Sequence, residues 1–345
     1  MKRVWMTAAA AVLALSVLTG CGGTGEIPGS QPASRPNGDT SSSSSATGSN
    51  TGNSSSASSS TGSSSSVSSK DNSASSVSSS TAASSKPEEA SPWQYKNYGS
   101  NVTITGYDGE LAGDVVIPDK VGNVPVTAIG DSAFKGNQQI SSVTIPEGVT
   151  RIGREAFREC KQLVRVTLPS TLTDIWNYAF YGDRSLVTLT IPGSVKEISD
   201  YAFCGCKNLK TLTLQEGVEQ INNCAFAGCE GLTEVNLPST LYYIETLAFK
   251  ACTSLEQIVI PENSTGKGTV INHCSFEYCP NLKKVYFPKT LKRMGYPFTM
   301  ITTVEYLYYG GTEEDWAKIE RTDYDIDKST TILYNKTPAD MNAGA

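Results

Sequence analysis

Hydrophobic residues return at a fixed interval through the second half of the chain. Phenylalanine recurs with a constant 23-residue period from Phe134 to Phe249, and then after a longer and a shorter interval at Phe276 and Phe298. An isoleucine lies shortly before nearly all of them, and an apolar residue followed by proline comes after most of them. A fixed period of this length predicts a solenoid in which each repeat buries its apolar side chains against its neighbours.

Within one repeat, short segments with different patterns follow one another. LVTLTIP (186–192) and LKTLTLQ (209–215) alternate apolar and polar residues, which predicts a strand that ends at the proline or its equivalent. VKEI (195–198) predicts a second, shorter strand, and the Ala-Phe segment after it is too short for a helix and predicts a tight turn. The predicted fold is therefore a β-rich solenoid of repeats of about 23 residues, with parallel strands joined by tight turns.

The repeating unit, L-x-x-V-x-I-P-x-x-V-x-x-I-x-x-x-A-F-x-x-C, resembles the BspA-like leucine-rich repeat of bacterial surface proteins between about residues 115 and 298. YLYYGGTEEDWAKIE (306–320) resembles the C-terminal cap of that family. In this segment Thr312 is expected to cap a short helix with Asp315 at the reciprocal position, and Trp316 is expected to close the end of the core. The resemblance implies adhesion or another interaction at the cell surface.

The start of the chain has the composition of a targeting segment. Lys2 and Arg3 precede an apolar run that is too short to span a bilayer, which predicts a signal peptide. The following LTGC resembles the lipobox of bacterial lipoproteins, which implies cleavage before Cys21 and a lipid on its sulfur. An ordinary signal peptide with an incidental cysteine is the alternative. The lipobox implies a protein outside the cytoplasm, anchored by lipid to the bacterial membrane and exposed at the surface.

Composition divides the chain further. Serine dominates the segment after Cys21, which cannot bury enough apolar surface to fold and is expected to be a disordered stalk. The expected boundaries are 1–20 for the signal peptide, 21–91 for the lipidated cysteine and stalk, 92–126 for the entry turn, 127–300 for the repeats, and 301–345 for the cap and tail.

The net charge of −6 and the absence of a basic run argue against a nucleic acid as the partner, and leave the lipid as the only expected link to a membrane. His273 is the only histidine, so a catalytic triad or a histidine-based metal cluster lacks its residues. No cofactor and no enzymatic activity are predicted, although the sequence leaves open a pair of carboxylates brought together by folding.

Cysteine recurs at the third residue after the repeat phenylalanine, a place we call the cysteine position. Buried, reduced thiols that serve packing are the favoured interpretation, with disulfides and a metal site as the alternatives. Two repeats carry Asn137 and Asp183 there instead, which we expect to weaken the packing locally. The cysteines at the position are Cys160, Cys206, Cys229, Cys252 and Cys279, and those outside it are Cys204, Cys224 and Cys274.

Aromatic residues at places that the repeat leaves free are the first candidates for binding a partner, because exposed rings often anchor protein and glycan contacts. Tyr178 and Tyr201 share one position in adjacent repeats and are expected to stack. Rings that lie flat over the edge of the repeat are the alternative. The candidates are Trp176, Tyr178, Tyr201, Tyr242 and Tyr243, with Tyr181 among their neighbours.

Two other features are weaker candidates. Threonine fills one strand position in four successive repeats and predicts a hydroxyl-lined face suited to an extended partner, although stacked threonines also suit a strand on their own. The longer interval, between Phe249 and Phe276, holds an insertion at 263–269, which predicts a surface loop that either contacts a partner or is simply tolerated. The threonines are Thr144, Thr167, Thr190 and Thr213.

Taken together, these features predict a lipid-anchored surface protein that presents leucine-rich repeats on a stalk and binds a protein or glycan. The resemblance carries the last step, because repeat folds serve many partners. The alternatives are an accessory of an envelope glycan-processing enzyme and a structural spacer without a specific ligand.

Overall fold

The computed structural model describes residues 92–301, 303–322 and 326–343, and these form a β-solenoid of about ten repeats with almost no helix. Each complete repeat contributes one strand to each of two sheet faces, as the sequence predicted, and the repeat phenylalanine lies in a turn between them. The solenoid class of parallel strands and tight turns is therefore confirmed.

The first sheet has 12 strands and runs the whole length of the solenoid. Its strands are parallel except where β1 pairs with β2 and β4 pairs with β5. They are β1 (Trp93–Asn97), β2 (Val102–Tyr107), β4 (Lys120–Val121), β5 (Val124–Ile129), β7 (Arg151–Ile152), β9 (Asp174–Ile175), β11 (Glu197–Ile198), β13 (Gln220–Ile221), β15 (Tyr243–Ile244), β17 (Thr269–Ile271), β19 (Leu291–Met294) and β21 (Glu320–Arg321).

The opposite face is divided into two parallel sheets. The second sheet is formed by β3 (Gly113–Val116), β6 (Ile140–Thr144), β8 (Arg165–Thr167), β10 (Thr188–Ile191), β12 (Thr211–Leu214) and β14 (Glu234–Asn236). The third sheet is formed by β16 (Gln257–Val259), β18 (Lys284–Phe287), β20 (Tyr306–Tyr309) and β22 (Thr331–Leu333). Among these described strands β14 and β16 are not paired, so this face is interrupted once while the first sheet is continuous.

The eight repeat phenylalanines form one column of stacked rings through the core. Neighbouring ring centroids from Phe134 to Phe298 are 4.9 to 6.0 Å apart. The first seven side chains are fully buried, and Phe298 is 5% exposed. Backbone bonds hold the column together, for example from the amide of Phe203 to the carbonyl of Ala225 at 2.9 Å. The 23-residue period therefore marks the core, as predicted.

We call the segment from two residues before to three residues after each repeat phenylalanine the corner. Its first residue adopts a left-handed backbone in successive repeats, with φ of 62° at Tyr178 and 57° at Tyr201. The second residue after the phenylalanine is also left-handed, and it is glycine in four repeats and a larger residue, such as Ala251 (φ 56°), in the other four. Because this backbone strains a residue with a Cβ atom, the corner imposes a conformation that glycine satisfies best.

The cysteine position is filled by buried thiols that hydrogen-bond along the solenoid. The Cys206 thiol donates to the carbonyl oxygen of Phe180 at 3.3 Å, and each of the other four forms the corresponding bond to the repeat before it. None of the eight cysteines in the described part of the chain forms a disulfide. Burial is the largest influence on Cys206 and raises its thiol pKa well above the ordinary value, which favours the protonated donor. The predicted packing role is confirmed by this burial.

The two polar residues at the cysteine position differ from each other. The Asn137 side chain accepts from the amides of Gln139 and Ile140 and donates to the Tyr107 hydroxyl, so its polar atoms are bonded. Asp183 is fully buried, and one carboxylate oxygen accepts from the Cys160 amide at 2.8 Å while the other has no partner. Burial raises the Asp183 pKa well above its ordinary value.

Each end of the core is closed by side chains that are not part of the repeat. Trp93 and Tyr107 pack on Phe134 at the first end. At the other end α1 (Glu313–Ala317) has the predicted capping box between Thr312 and Asp315, and it buries Trp316. The predicted capping helix is therefore confirmed.

The end of the chain folds back onto the outer face of the third sheet. A 3₁₀ helix (Pro338–Met341) places the Met341 side chain against Tyr286 and Tyr308, where it is 1% exposed. The Lys284 amine donates to the Met341 carbonyl at 2.6 Å. This face is therefore covered at its last repeats and open at the earlier ones.

Cys21, the predicted signal peptide and the predicted stalk lie outside the described residues. Among the residues that the structure does describe, none belongs to a helix with the length and apolar character needed to cross a bilayer.

Candidate functional site

The corner surface, which we define as Arg154, Arg158, Tyr178, Tyr181 and Tyr201, is the most distinctive side-chain cluster outside the core. Tyr178 and Tyr201 stack with ring centroids 5.0 Å apart, which confirms the predicted stack. Tyr181 packs edge-on against Tyr178 at 5.8 Å. All three rings are half-buried, so each presents one part to solvent and one part to the solenoid.

Three arginines of one repeat lie over three aromatic rings of the next. The guanidinium carbon of Arg154 is 5.8 Å from the centre of the Tyr178 ring, and that of Arg158 is 5.1 Å from Tyr181. Beside the corner surface, Arg151 lies 5.0 Å from the centre of Trp176. A cation held over a ring contributes about 0.5–1 kcal/mol at an exposed site, so the rings fix the arginines in place.

Ion pairs hold one side of this cluster. Arg158 donates to Glu155 at 2.9 Å, and Lys135 donates to the other oxygen of the same carboxylate at 2.6 Å. Partial burial opposes ionisation of Glu155, but the bonds and charges of Lys135 and Arg158 outweigh it and lower the Glu155 pKa. The carboxylate is therefore charged at neutral pH and orients both cations.

A small apolar cluster lies beneath the tyrosines. Cys204, Cys224 and Ala227 are buried there, with Tyr181 and Tyr201 packed over them. Burial, followed by the neighbouring Cys224 thiol, raises the Tyr201 pKa, so its hydroxyl stays protonated at neutral pH. The sequence pattern indicated a surface ring at Tyr201, whereas its half-buried position gives it a packing role as well.

Tyr242 and Tyr243 lie apart from the corner surface. Tyr243 is in β15, three strands along the first sheet from the β9 strand that precedes Trp176. The Lys267 ammonium, from the predicted insertion, is 4.2 Å from the centre of the Tyr242 ring and pairs with Glu219. The Glu219 hydrogen bond is the largest influence on the Lys267 pKa and raises it. The insertion therefore covers part of Tyr242 with the protein's own chain.

The insertion is anchored by a buried asparagine. The Asn263 amide donates to the Leu241 carbonyl at 3.2 Å, and its oxygen accepts from the Thr265 hydroxyl at 2.8 Å. The segment thus forms an ordered surface loop, which agrees with the predicted loop but leaves its contact with a partner a prediction.

The threonine positions lie on the outer face of the second sheet. Thr144 is paired in register with Thr167, and Thr190 with Thr213, so the predicted alignment is confirmed for these pairs. The first three side chains are exposed and Thr213 is half-buried. They form a hydroxyl-lined strip of small side chains, a residue type that seldom anchors an interface, which leaves this face the weaker candidate.

The described residues hold no group of three or more histidine, cysteine, aspartate or glutamate side chains that could hold a metal ion. The exposed His273 accepts a long hydrogen bond of 3.4 Å from the Tyr296 amide at its Nδ1 atom.

The sequence pattern identified the rings but not the arginines over them. Arg158 and Tyr181 both directly follow a repeat phenylalanine, so a comparison of neighbouring repeats at that place signals their contact. Arg151 and Trp176 occupy different places in their repeats, and no spacing predicts that pair.

A family model described as the BspA type leucine rich repeat region matches six copies in this chain, over residues 127–256 and 173–300. These matches together span half of the chain. The chain belongs to the BspA-type leucine-rich repeat family. Proteins of this family are typically found at the cell surface, and the repeat is a non-enzymatic scaffold.

Several solved structures are similar to parts of the chain. The leucine-rich repeat protein of T. pallidum is 29% identical over 48% of this chain and 88% of that one, with a TM-score of 0.41. One from Bacteroides capillosus is 33% identical over 37% and 96%, with a TM-score of 0.34. A leucine rich cell surface protein of Faecalibacterium prausnitzii is 23% identical over 68% and 97%, with a TM-score of 0.32. No curated protein matches the chain.

Proposed function

We propose that this protein is a lipid-anchored, adhesion-type binding protein of the cell surface, whose partner is an extracellular protein or glycan. Family membership supports a surface location and a non-enzymatic role. The observation that carries the proposal is the corner surface, where arginines and tyrosines are concentrated at places that the repeat does not require.

Tyrosine, tryptophan and arginine are the residues most often responsible for binding energy at protein interfaces. In the corner surface the tyrosines are stacked and the arginines lie over them, so both lose little freedom when a partner binds. A guanidinium over a ring also keeps its N–H donors available for a carboxylate or a carbonyl oxygen. These features support the corner surface as the centre of the contact.

Adhesion tests this proposal. Inert cells that display the full-length protein should be retained on at least one member of a panel of immobilised extracellular matrix proteins and glycans. Arg154→Ala and Tyr178→Ala should each reduce retention by roughly tenfold or more, as expected for a central contact. Tyr95→Ala removes an exposed ring elsewhere and serves as the matched control.

Thermal melts of the same variants separate binding from folding. Retention equal to that of cells without the protein, on every surface of the panel, would contradict a binding role and favour the spacer. Retention that neither corner variant reduces would place the contact on another face.

The anchor is the second part of the proposal and has its own test. The lipobox at 18–21 supports acylation of Cys21. Mass spectrometry of the mature protein should find a diacylglyceryl cysteine at its N-terminus, and Cys21→Ser should release the protein or leave it unprocessed. An unmodified Cys21, or cleavage at another bond, would disprove the anchor.

A further inference from the structure

A groove crosses the first sheet near its N-terminal end. It passes over β2, β5, β7 and β9, which spans about 14 Å at the usual strand spacing of about 4.8 Å. Its volume of about 560 Å³ is within the range of small-molecule sites. Ala128 forms part of the floor, whereas the same place in the next repeats carries Arg151 and Asp174. Ala128 and its register partner Thr103, which also lines the groove, are both small, so this part of the sheet face leaves more room than the next repeats do.

Two opposite charges line the groove without pairing. Arg151 and Asp174 are register partners on adjacent strands. In the described structure neither belongs to an ion pair, because the guanidinium stacks on Trp176 and the carboxylate accepts from the Thr173 hydroxyl at 2.7 Å. A set of donors and an acceptor therefore remain available side by side. Since their charges cancel, the lining gives no long-range preference for a charged ligand.

Aromatic rings stand beside these polar groups. Tyr98 lines the groove and is 64% exposed. Trp176 is 40% exposed, and the Arg151 guanidinium stacks on its ring. Asn101 adds an amide and Thr127 a hydroxyl to the lining. An exposed ring next to uncharged donors and acceptors suits a ligand with one apolar surface and many hydroxyl groups.

An extended peptide fits this groove poorly. Peptides that bind to sheets add to a free strand edge, but β2, β5, β7 and β9 are each paired on both sides. The lining is also mostly polar, without the apolar pockets that select peptide side chains. A sugar hydroxyl both donates and accepts, so it can bond to the Arg151 guanidinium and the Asp174 carboxylate alike.

We propose that this groove binds a neutral oligosaccharide, which stacks on the Tyr98 ring and hydrogen-bonds through its hydroxyl groups to Arg151, Asp174 and Asn101. The inference rests on the proposed function and names the ligand class of a second surface beside the corner surface.

Calorimetric titration of the full-length protein tests the inference. The probes are the neutral hexasaccharides cellohexaose, maltohexaose, mannohexaose and xylohexaose, with hexagalacturonate as the acidic counterpart. At least one neutral probe should bind with a Kd below about 1 mM, and hexagalacturonate should bind more weakly. Tyr98→Ala and Asp174→Asn should each weaken binding by roughly tenfold. Tyr95→Ala, which removes a ring of 45% exposure outside the groove, should leave it unchanged.

A filled groove gives an independent variant. Thr127→Trp introduces a ring into the lining and should abolish binding while the protein still melts cooperatively. Failure of every neutral probe at about 10 mM, binding that survives Tyr98→Ala and Asp174→Asn, or a preference for hexagalacturonate would overturn the inference. Adhesion that still depends on Arg154 in such a case would leave the proposed function standing, so the two failures are distinguishable.

Discussion

The phenylalanine column and the corner surface occupy neighbouring places in the same repeat, yet they are filled in opposite ways. In the column, one residue type recurs eight times with its ring fully or almost fully buried. At the first residue of the corner, Glu155 is followed in the next repeats by Tyr178 and Tyr201, and then by Cys224 and Leu247. The two arginines of the corner surface lie at other places in the repeat that holds Glu155. Both regions stack their side chains at the spacing that the strands impose.

The difference shows what the repeat requires and what it leaves open. Stacking forces residues at one place into a column, whatever their type. Burial then restricts the phenylalanine column to a ring of one size, because a tightly packed core tolerates neither a cavity nor an extra group. Outside its buried positions the corner has only its left-handed backbone to satisfy, so a cluster of arginines and tyrosines there is not a requirement of the fold.

Removal of one ring from the column should have the largest effect. Phe203→Ala leaves a cavity between Phe180 and Phe226 and should lower the free energy of unfolding by about 3–5 kcal/mol. Urea denaturation measures this, with Tyr98→Ala, which removes a ring that is 64% exposed, as the surface control at less than about 0.5 kcal/mol. A loss below about 1 kcal/mol for Phe203→Ala would show that the column is not the core.

Asp183 departs from the pattern of buried cysteines, and replacing it with cysteine should stabilise the protein. Asp183→Cys should raise the free energy of unfolding by about 1–3 kcal/mol at pH 7, because it removes a buried carboxyl with one unpaired oxygen. The Cys160 amide keeps its second acceptor, the Phe157 carbonyl at 3.1 Å.

The stabilisation produced by Asp183→Cys should depend on pH. A carboxyl whose pKa is raised by folding binds its proton more tightly in the native state, so the native protein loses stability as pH rises above the unfolded pKa of about 4. The advantage of Asp183→Cys should therefore shrink between pH 7 and pH 4. Asp183→Asn, which keeps the shape and removes the charge, is the control. An equal gain at both pH values would contradict a raised pKa.

Tyr201 belongs partly to each region and should give an intermediate effect. Tyr201→Ala should cost about 1–2 kcal/mol, since half of its ring is buried over Cys224. The same change should speed the reaction of Cys204 and Cys224 with a thiol reagent in the native protein. Tyr201→Phe keeps the ring and removes only the hydroxyl and its hydrogen bond with the Cys224 thiol, so it should cost less than the alanine change, about 0.5–1 kcal/mol. Unchanged thiol reactivity in the alanine variant would mean that the ring is not their cover.

The smallest expected effect concerns the corner backbone. Ala251 is left-handed at a place where Gly205 and Gly228 occur in the two preceding repeats. Ala251→Gly should therefore stabilise the protein by about 0.5–1 kcal/mol, because relief of strain exceeds the added freedom of the unfolded chain. Gly228→Ala should have the opposite sign in the same thermal melts. Destabilisation by Ala251→Gly would refute strain at this place.

Most of the fold could be predicted because its determinants recur. The two strands, the phenylalanine column and the stack of Tyr178 on Tyr201 all follow from positions that share the 23-residue period. The cap was predictable for another reason, since the capping box between Thr312 and Asp315 is a local signal that needs no repeat.

The candidate site could be predicted only in part. Arg151 reaches Trp176 from a different place in its repeat, so periodicity carries no signal for that contact. The contact of Met341 with the third sheet occurs once in the described chain, and the groove has small residues, Ala128 and Thr103, where the next repeats carry longer ones. Features that occur once in a solenoid are set by particular side chains, and spacing alone does not identify them.

The interruption between β14 and β16 bears on how the gene for such a protein changes in length. Everywhere else a duplicated or deleted repeat separates strands that are paired on both sheet faces, but at this junction only the first sheet is continuous. A whole repeat inserted at this junction disturbs strand pairs in the first sheet only. Each repeat phenylalanine then again stacks on the phenylalanine of an adjacent repeat. The junction is therefore the place where recombination should lengthen or shorten the array with the least loss of stability.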